Sequence, residues 1–294
     1  MQKESSLLNY YSLVNLVKKA LWYVLLLILS SIVLLPLGWM LTVALKPDKT
    51  PIFTIPPQWF PTEHWNWENF IRTLTMPTRP FLLYARNSMF LVLANTIGSL
   101  ITCSMTAFAF ARMRFRGSKI LFSIVIIVML IPAMSTMIPK FLMFFNLGLY
   151  GTYWPMILPS YFAAGAGNAF FIFLIRQYMK TFTIELDDAA KIDGCSWFQI
   201  YYRIILPLCV PVLVVLIVFT FMGWWSALLE PLIYLQRNEQ FTVAVGLANF
   251  VNRRGTDWNL LMAANLVVML PMAAVYFFAQ KYLIGGIASV GIKG

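Results

Sequence analysis

The sequence predicts an all-α integral membrane protein with six transmembrane helices and both termini on the cytoplasmic side. Three observations carry that prediction. The 294 residues are 60% hydrophobic and only 11% charged, with a mean hydropathy of +0.75, a balance that no soluble globule sustains. Six stretches, 21–45, 87–111, 120–139, 153–175, 204–229 and 259–279, contain no Asp, Glu, Lys, Arg or His, and each is long enough for a bilayer core that needs roughly 20 helical residues. Finally, Arg112, Arg114, Arg116 and Lys119 crowd one short link between the second and third stretches with no acid among them. Basic residues in short loops stay inside, so this link is cytoplasmic, and an even number of spans returns both ends to the same side.

The elements follow in order. Residues 1–20 form a polar tail in which Lys18 and Lys19 precede an apolar run too long for the h-region of a cleaved leader, so 21–45 is a retained first helix. Pro36 and Gly38 within it predict a kink. Residues 46–86 turn polar, with Pro47, Pro51, Pro56, Pro57 and Pro61 interleaved with Trp59, Trp65 and Trp67. This is an external loop at headgroup level, where indoles serve as interface anchors. Residues 87–284 then form one membrane core. Its second span carries Asn87, Asn95, Thr96, Ser99, Thr102, Ser104 and Thr106, small polar residues that let helices approach closely and hydrogen-bond, so this helix lies inside a bundle. The third span ends near Pro132 and Pro139. The fourth opens with Trp154, Pro155 and Pro159 before the soft run AAGAGNA, which permits bending. The loop over 235–258 is rich enough in Gly, Asn and charge to be an exposed finger, and the glycine-spaced tail 285–294 has little helix-forming strength.

Between the fourth and fifth spans lies a polar island at about 181–207. Thr183 can cap a short helix whose first turns hold Glu185, Asp187 and Asp188, acids favoured at the positive end of the helix dipole. Gly194 closes that helix in the left-handed conformation, and Ser196 with Gln199 forms a capping box that starts another. The result is a helix-turn-helix elbow. Ala189 and Ala190 leave one side of its first helix bare enough for another protein to approach the backbone, and Ile192 offers an apolar anchor. An ordinary amphipathic loop helix would share most of these features.

The run D-D-A-A-K-I-D-G followed by I-I-L-P resembles the "EAA" loop of the membrane subunits of ABC importers. The matching positions are Asp188, Ala189, Ala190, Asp193, Gly194 and Pro207, preceded by Glu185. Asp188 stands where that family usually has glutamate, and Cys195 where alanine is common. The resemblance implies the type I ABC importer transmembrane fold, with the elbow as a coupling helix seated in a cytoplasmic ATPase. The Pro/Trp-rich loop, Gly255-Thr256-Asp257-Trp258-Asn259 and the terminal Gly291-Ile292-Lys293-Gly294 narrow it to the carbohydrate-uptake, maltose-type smaller-permease branch. That branch implies a heterodimer with a second related permease, two ATPase subunits, an extracytoplasmic solute-binding protein and a bacterial cytoplasmic membrane. It assigns Gly291, Ile292, Lys293 and Gly294 to the ATPase interface. It assigns Asn249, Asn252, Arg253, Arg254, Gly255 and Thr256 to the binding-protein loop.

Several other functions are disfavoured. No G-x-x-x-x-G-K-[ST] run is present, so ATP and Mg belong to a partner ATPase and this chain binds no cofactor of its own. No paired carboxylates, His cluster or Ser/His arrangement in the spans suggests an enzyme. Cys103, Cys195 and Cys209 lack the spacing of a disulfide framework or zinc site, and the lone His64 is a solvated loop residue. The charge of +11 is dispersed through short loops where it orients helices, so it does not point to nucleic acid. An intramembrane acid or histidine, the usual relay of ion-coupled transport, is also missing. An ion-coupled secondary transporter and a non-transporting membrane scaffold remain the alternatives. Sugars need amides for their hydroxyls and aromatic faces for their C–H surfaces. Asn95, Asn168, Trp224, Trp225 and Asn265 could line such a path, although polar residues in bundles also hold helices together.

Overall fold

Helices form nearly everywhere the sequence is apolar, because a chain in lipid must satisfy its backbone polar groups internally. The computed structural model describes residues 2–47, 52, 54–61, 64–76, 78, 80–252 and 255–291; for 2–14, 252, 255 and 283–291 it describes the backbone alone. Among these residues, Asn15–Ala44, Phe81–Arg112, Trp154–Met179 and Trp258–Tyr282 are long and apolar enough to cross a membrane. The number rises to six if each of two bent helix pairs counts as one span.

The chain divides into two compact units. The first comprises Met1–Thr73 and Arg253–Val267. It contains α1 (Gln2–Ala44), α2 (Glu68–Thr75) and the start of α14 (Trp258–Gly291). The helix α1 absorbs the polar tail expected to precede it and passes through Pro36 without interruption. The carbonyl of its last residue and those just beyond it, left without partners where the helix ends, are taken up by two asparagines. Asn69 Nδ2 donates to the oxygens of Ala44 and Lys46 at 2.8 and 3.0 Å, and Asn259 Nδ2 to those of Lys46 and Pro47 at 3.0 and 2.7 Å.

The second unit, Leu74–Asn252 and Val268–Gly294, is organised around α3 (Phe81–Arg112). Against α3 pack α6 (Trp154–Tyr161), α7 (Ala166–Met179), α11 (Val210–Trp225) and α13 (Val243–Ala248). The polar stripe of α3 bonds it to α6, α7 and the stretch that leads into α11. Ser99 Oγ donates to Asn168 Oδ1 at 2.7 Å, Thr102 Oγ1 to the Ser160 carbonyl at 2.8 Å, and Ser104 and Tyr201 share a hydroxyl–hydroxyl bond of 2.7 Å.

Proline and glycine break the spans at the expected places. α4 (Ser118–Leu130) turns 98° at Ile131-Pro132 into a 3₁₀ turn and α5 (Met137–Asn146). The expected fourth span is two helices, α6 and α7, separated where Ala163 and Gly165 take positive φ of 51° and 89°.

Two expectations are corrected. The 235–258 loop is not an exposed finger over most of its length. After α12 (Leu229–Tyr234), α13 buries Val243, Val245 and Gly246, and Phe250 is buried just beyond it. Asn87 Nδ2 fixes the approach by donating to the oxygens of Glu239 and Phe241 at 2.8 and 3.0 Å. Gly246 lies so close to Tyr84 that a Cβ there would meet the ring at 2.4 Å. The tail, read as a weak helix former, remains helical to Gly291 within α14. Extending an established helix costs far less than nucleating one, and this outweighs the penalty of its glycines.

Candidate functional site

The polar elbow is built by local rules. α8 (Glu185–Ile192) is a helix of eight residues. It ends in a complete Schellman arrangement: Gly194 N–H bonds the Lys191 oxygen at 3.0 Å and Cys195 N–H the Ala190 oxygen at 2.9 Å. Gly194 has φ +80°, and an added Cβ would meet nothing within 4 Å. Backbone conformation, not space, therefore demands the glycine. The next helix, α9 (Trp197–Gln199), opens with the expected capping box. Ser196 N–H donates to Gln199 Oε1 at 2.7 Å and Gln199 N–H to Ser196 Oγ at 3.3 Å.

Beyond α9 the chain winds into a π-helix, Ile200–Ile205, then α10 (Leu206–Leu208), and bends 76° into α11. Pro207 and Pro211 supply no N–H to the carbonyls of Arg203 and Pro207, which explains why the regular ladder fails at this point.

The start of α8 departs from expectation. Ile184, not Thr183, is the N-cap, and no side chain caps the helix. The Thr183 carbonyl instead accepts a bond from Arg112 Nη1 at 3.4 Å. The same guanidinium lies 3.4 Å from Asp187 Oδ2, with the two side chains only 4% and 1% exposed. Arg112 is the last residue of α3, so this buried pair ties α8 to the end of the central helix. Burial raises the Asp187 carboxyl above its ordinary value, and the Arg112 charge pulls it back part of the way.

α8 is thus two-faced. Asp187 and Ala190 alone are buried, Ala190 within the core formed by Cys103, Ala107, Ile200 and their neighbours. Contrary to the expectation from sequence, Ala190 therefore does not contribute to a bare outer side. Glu185, Asp188, Ala189 and Ile192, spaced i, i+3, i+4 and i+7, are exposed, Ile192 at 87%. Lys191 pairs with Asp188 at 3.2 Å and lies 4.4 Å above the Trp197 ring, which holds the elbow's two helices together. Asp193 and Pro207 are exposed.

The other sequence-selected residues are dispersed. Asn95 is fully buried; its Nδ2 donates to the Leu91 carbonyl at 2.9 Å and its Oδ1 accepts from Ser160 Oγ at 2.5 Å. Asn168 Nδ2 donates to the Ala164 oxygen at 2.7 Å while its Oδ1 accepts from Ser99. Both amides are engaged in helix packing in this conformation. Trp225 is buried with Nε1 bonded to the Val268 carbonyl at 2.9 Å. Trp224 is half-buried against the cluster around Tyr234, and Asn265 Nδ2 bonds the Leu261 carbonyl at 2.9 Å.

Asn249 is exposed at the end of α13, and the two-residue strands Val251–Asn252 and Gly255–Thr256 pair beyond it. Arg253, Arg254, Ile292, Lys293 and Gly294 lie outside the described residues, and Gly291 ends α14. Among the described residues no group of three His, Cys, Asp or Glu could hold a metal.

Sequence reasoning missed the Arg112–Asp187 pair. Arg112 was legible only as a charge that orients a helix. The available signal was a lone arginine on the last turn of a polar-striped helix together with two adjacent acids on a short one.

Several membrane-length helices, a polar-striped central helix and a two-faced elbow pinned to its end define a multi-pass membrane component, and its relatives specify the kind. Residues 94–288 match the family described as binding-protein-dependent transport system inner membrane component, and the chain belongs to it. The arabinooligosaccharides transport system permease protein AraQ of Halalkalibacterium halodurans is 34% identical over 208 residues, 71% of this chain and 73% of that one. The maltose/maltodextrin transport system permease protein MalG of Yersinia pestis is 27% identical over 276 residues, 90% of each. In fold, the chain is similar to a bacterial ABC transporter involved in the import of the acidic polysaccharide alginate. The TM-score is 0.76 at 23% identity, covering 88% of this chain and 94% of that one.

Proposed function

We propose that this chain is a permease subunit of an ATP-driven importer that moves a sugar or oligosaccharide, delivered by a solute-binding protein, across the bacterial cytoplasmic membrane. It spans six times with both termini inside, pairs with a second related permease among membrane lipids, and performs no chemistry. ATP and Mg are handled by two separate ATPase subunits, and nucleic acid has no part. The observation that carries this reading is α8. Its outer face, Glu185, Asp188, Ala189 and Ile192, is free to enter a cleft, while its inner face is fastened to the helix against which α6, α7, α11 and α13 pack.

ATP binding closes the ATPases, the closure displaces α8, and the displacement passes into the helix bundle, which exchanges inward- and outward-facing states. Bound partners bias those two states differently, which is all that coupling requires. The segment Asn249 to Thr256 is offered to the binding protein, and Gly291 to Gly294 to the ATPases. Of the residues proposed to line a sugar path, Trp224 and Asn265 are the half-buried ones, while Asn95, Asn168 and Trp225 are buried.

The test is sugar uptake by proteoliposomes holding the full complex. Uptake that requires ATP, the ATPase and the binding protein supports the reading. Uptake by the lone chain under an ion gradient contradicts it in favour of a secondary transporter, and partner binding without any uptake would point to a scaffold.

A further inference from the structure

We propose that the buried Arg112–Asp187 ion pair is the tether through which α8 pulls, as well as pushes, on α3, making both residues positioning residues for coupled transport. This rests on the reading of α8 as the coupling helix. Of the eight residues of α8, only Asp187 and Ala190 face inward. Ala190 offers a single methyl, which resists compression but grips weakly. A transport cycle must also return, and the return stroke needs an attractive link.

The ion pair supplies that link at a mechanically apt point. Arg112 is the terminal residue of α3, and its Nη1 reaches both the Asp187 carboxylate and the Thr183 carbonyl that leads into α8. One guanidinium therefore straps the entry and the first turn of the helix together. The pair is also poorly explained as a stabiliser. Arg112 Nε and Nη2 have no acceptor, and neither Asp187 oxygen accepts a hydrogen bond, so charge alone holds them at 3.4 Å. Burial shifts the Asp187 carboxyl in the direction that disfavours its charge. Buried pairs of this kind are often replaceable by apolar residues without loss of stability. A contact that relies on Coulomb attraction rather than directional bonds has one advantage, since it persists while the helix tilts.

From α3 the motion has an immediate route. The hydrogen bonds of Ser99 to Asn168, Thr102 to the Ser160 carbonyl and Ser104 to Tyr201 carry it into α7, α6 and the π-helix.

The experiment uses the complete complex in proteoliposomes and compares wild type with Asp187→Asn and with the apolar double variant Arg112→Met/Asp187→Val. The readouts are ATPase co-purification, melting temperature, ATP hydrolysis and sugar imported per ATP hydrolysed. The double variant is expected to assemble and to melt no lower than wild type, yet to import about tenfold less sugar per ATP. Asp187→Asn, if it assembles, should show the same loss of coupling. A double variant with the wild-type ratio of sugar to ATP would overturn the proposal by showing the pair to be structural only, and so would one that no longer binds its ATPases. Failure of wild-type complex to take up sugar with ATP would overturn the underlying reading instead, and the tether with it.

Discussion

Replacing Ile192 by serine separates docking from folding, because the side chain is 87% exposed and its loss removes almost nothing from the isolated chain. Surface substitutions of this kind usually change stability by no more than about 0.5 kcal/mol, so the melting temperature of the permease alone should hardly move. Docking into an ATPase cleft would bury the same side chain, and burying an isoleucine contributes about 1.5–3 kcal/mol. At about 1.4 kcal/mol per tenfold, the variant should bind ATPase about ten- to hundredfold more weakly. Titrating purified ATPase against the permease pair in lipid nanodiscs measures this directly. An unchanged Kd would refute the assignment of the outer face, whatever the effect on transport. A lowered melting temperature of the permease alone would show that Ile192 supports the chain's own fold.

Two further predictions concern packing within the second unit. Gly246→Ala would drive a Cβ to 2.4 Å from the fully buried Tyr84 ring, and overpacking of this kind costs about 1–3 kcal/mol. A clear fall in melting temperature is expected, and no change would mean that α13 lifts away from α3 freely. Ser160→Ala would leave the fully buried Asn95 Oδ1 without its donor, a loss of about 1–3 kcal/mol. The variant should melt lower, and sugar specificity should stay the same, since Asn95 is engaged in packing.

What could be read from sequence divides along a physical line. The Gly194 stop and the Ser196–Gln199 capping box were legible because each depends on backbone geometry within about one helical turn. Pro132 and Gly165 likewise announced breaks or bends in the third and fourth spans, whereas the 76° bend of the fifth, which was read as one continuous stretch, depends on packing and was not legible.

The orientation of α8 was not legible. ELDDAAKI lacks an apolar stripe to mark an inner face, and a rotation of one residue exchanges Asp187 with Asp188 or Ala190 with Ala189. Only the position of Arg112, 75 residues earlier in the chain (187 against 112), decides between them. The segment from Phe241 to Phe250 misled for a related reason. Its glycine reads as a loop residue, yet Gly246 is there so that helix α13 can rest on the Tyr84 ring. Asn95 and Asn168 show the same ambiguity: an amide inside a bundle looks alike from sequence whether it serves a solute or a neighbouring helix, and here Ser160 and Ser99 occupy them.

The central claim, that the elbow transmits the ATPase stroke, is tested most directly by Gly194→Pro in the complete complex. Proline cannot adopt the φ of +80° found here and removes the N–H that bonds the Lys191 oxygen, so the turn must reform while the spans are untouched. The account predicts that ATP-dependent sugar uptake falls to background while the permease pair still assembles with its ATPases. Uptake at the wild-type rate would contradict it.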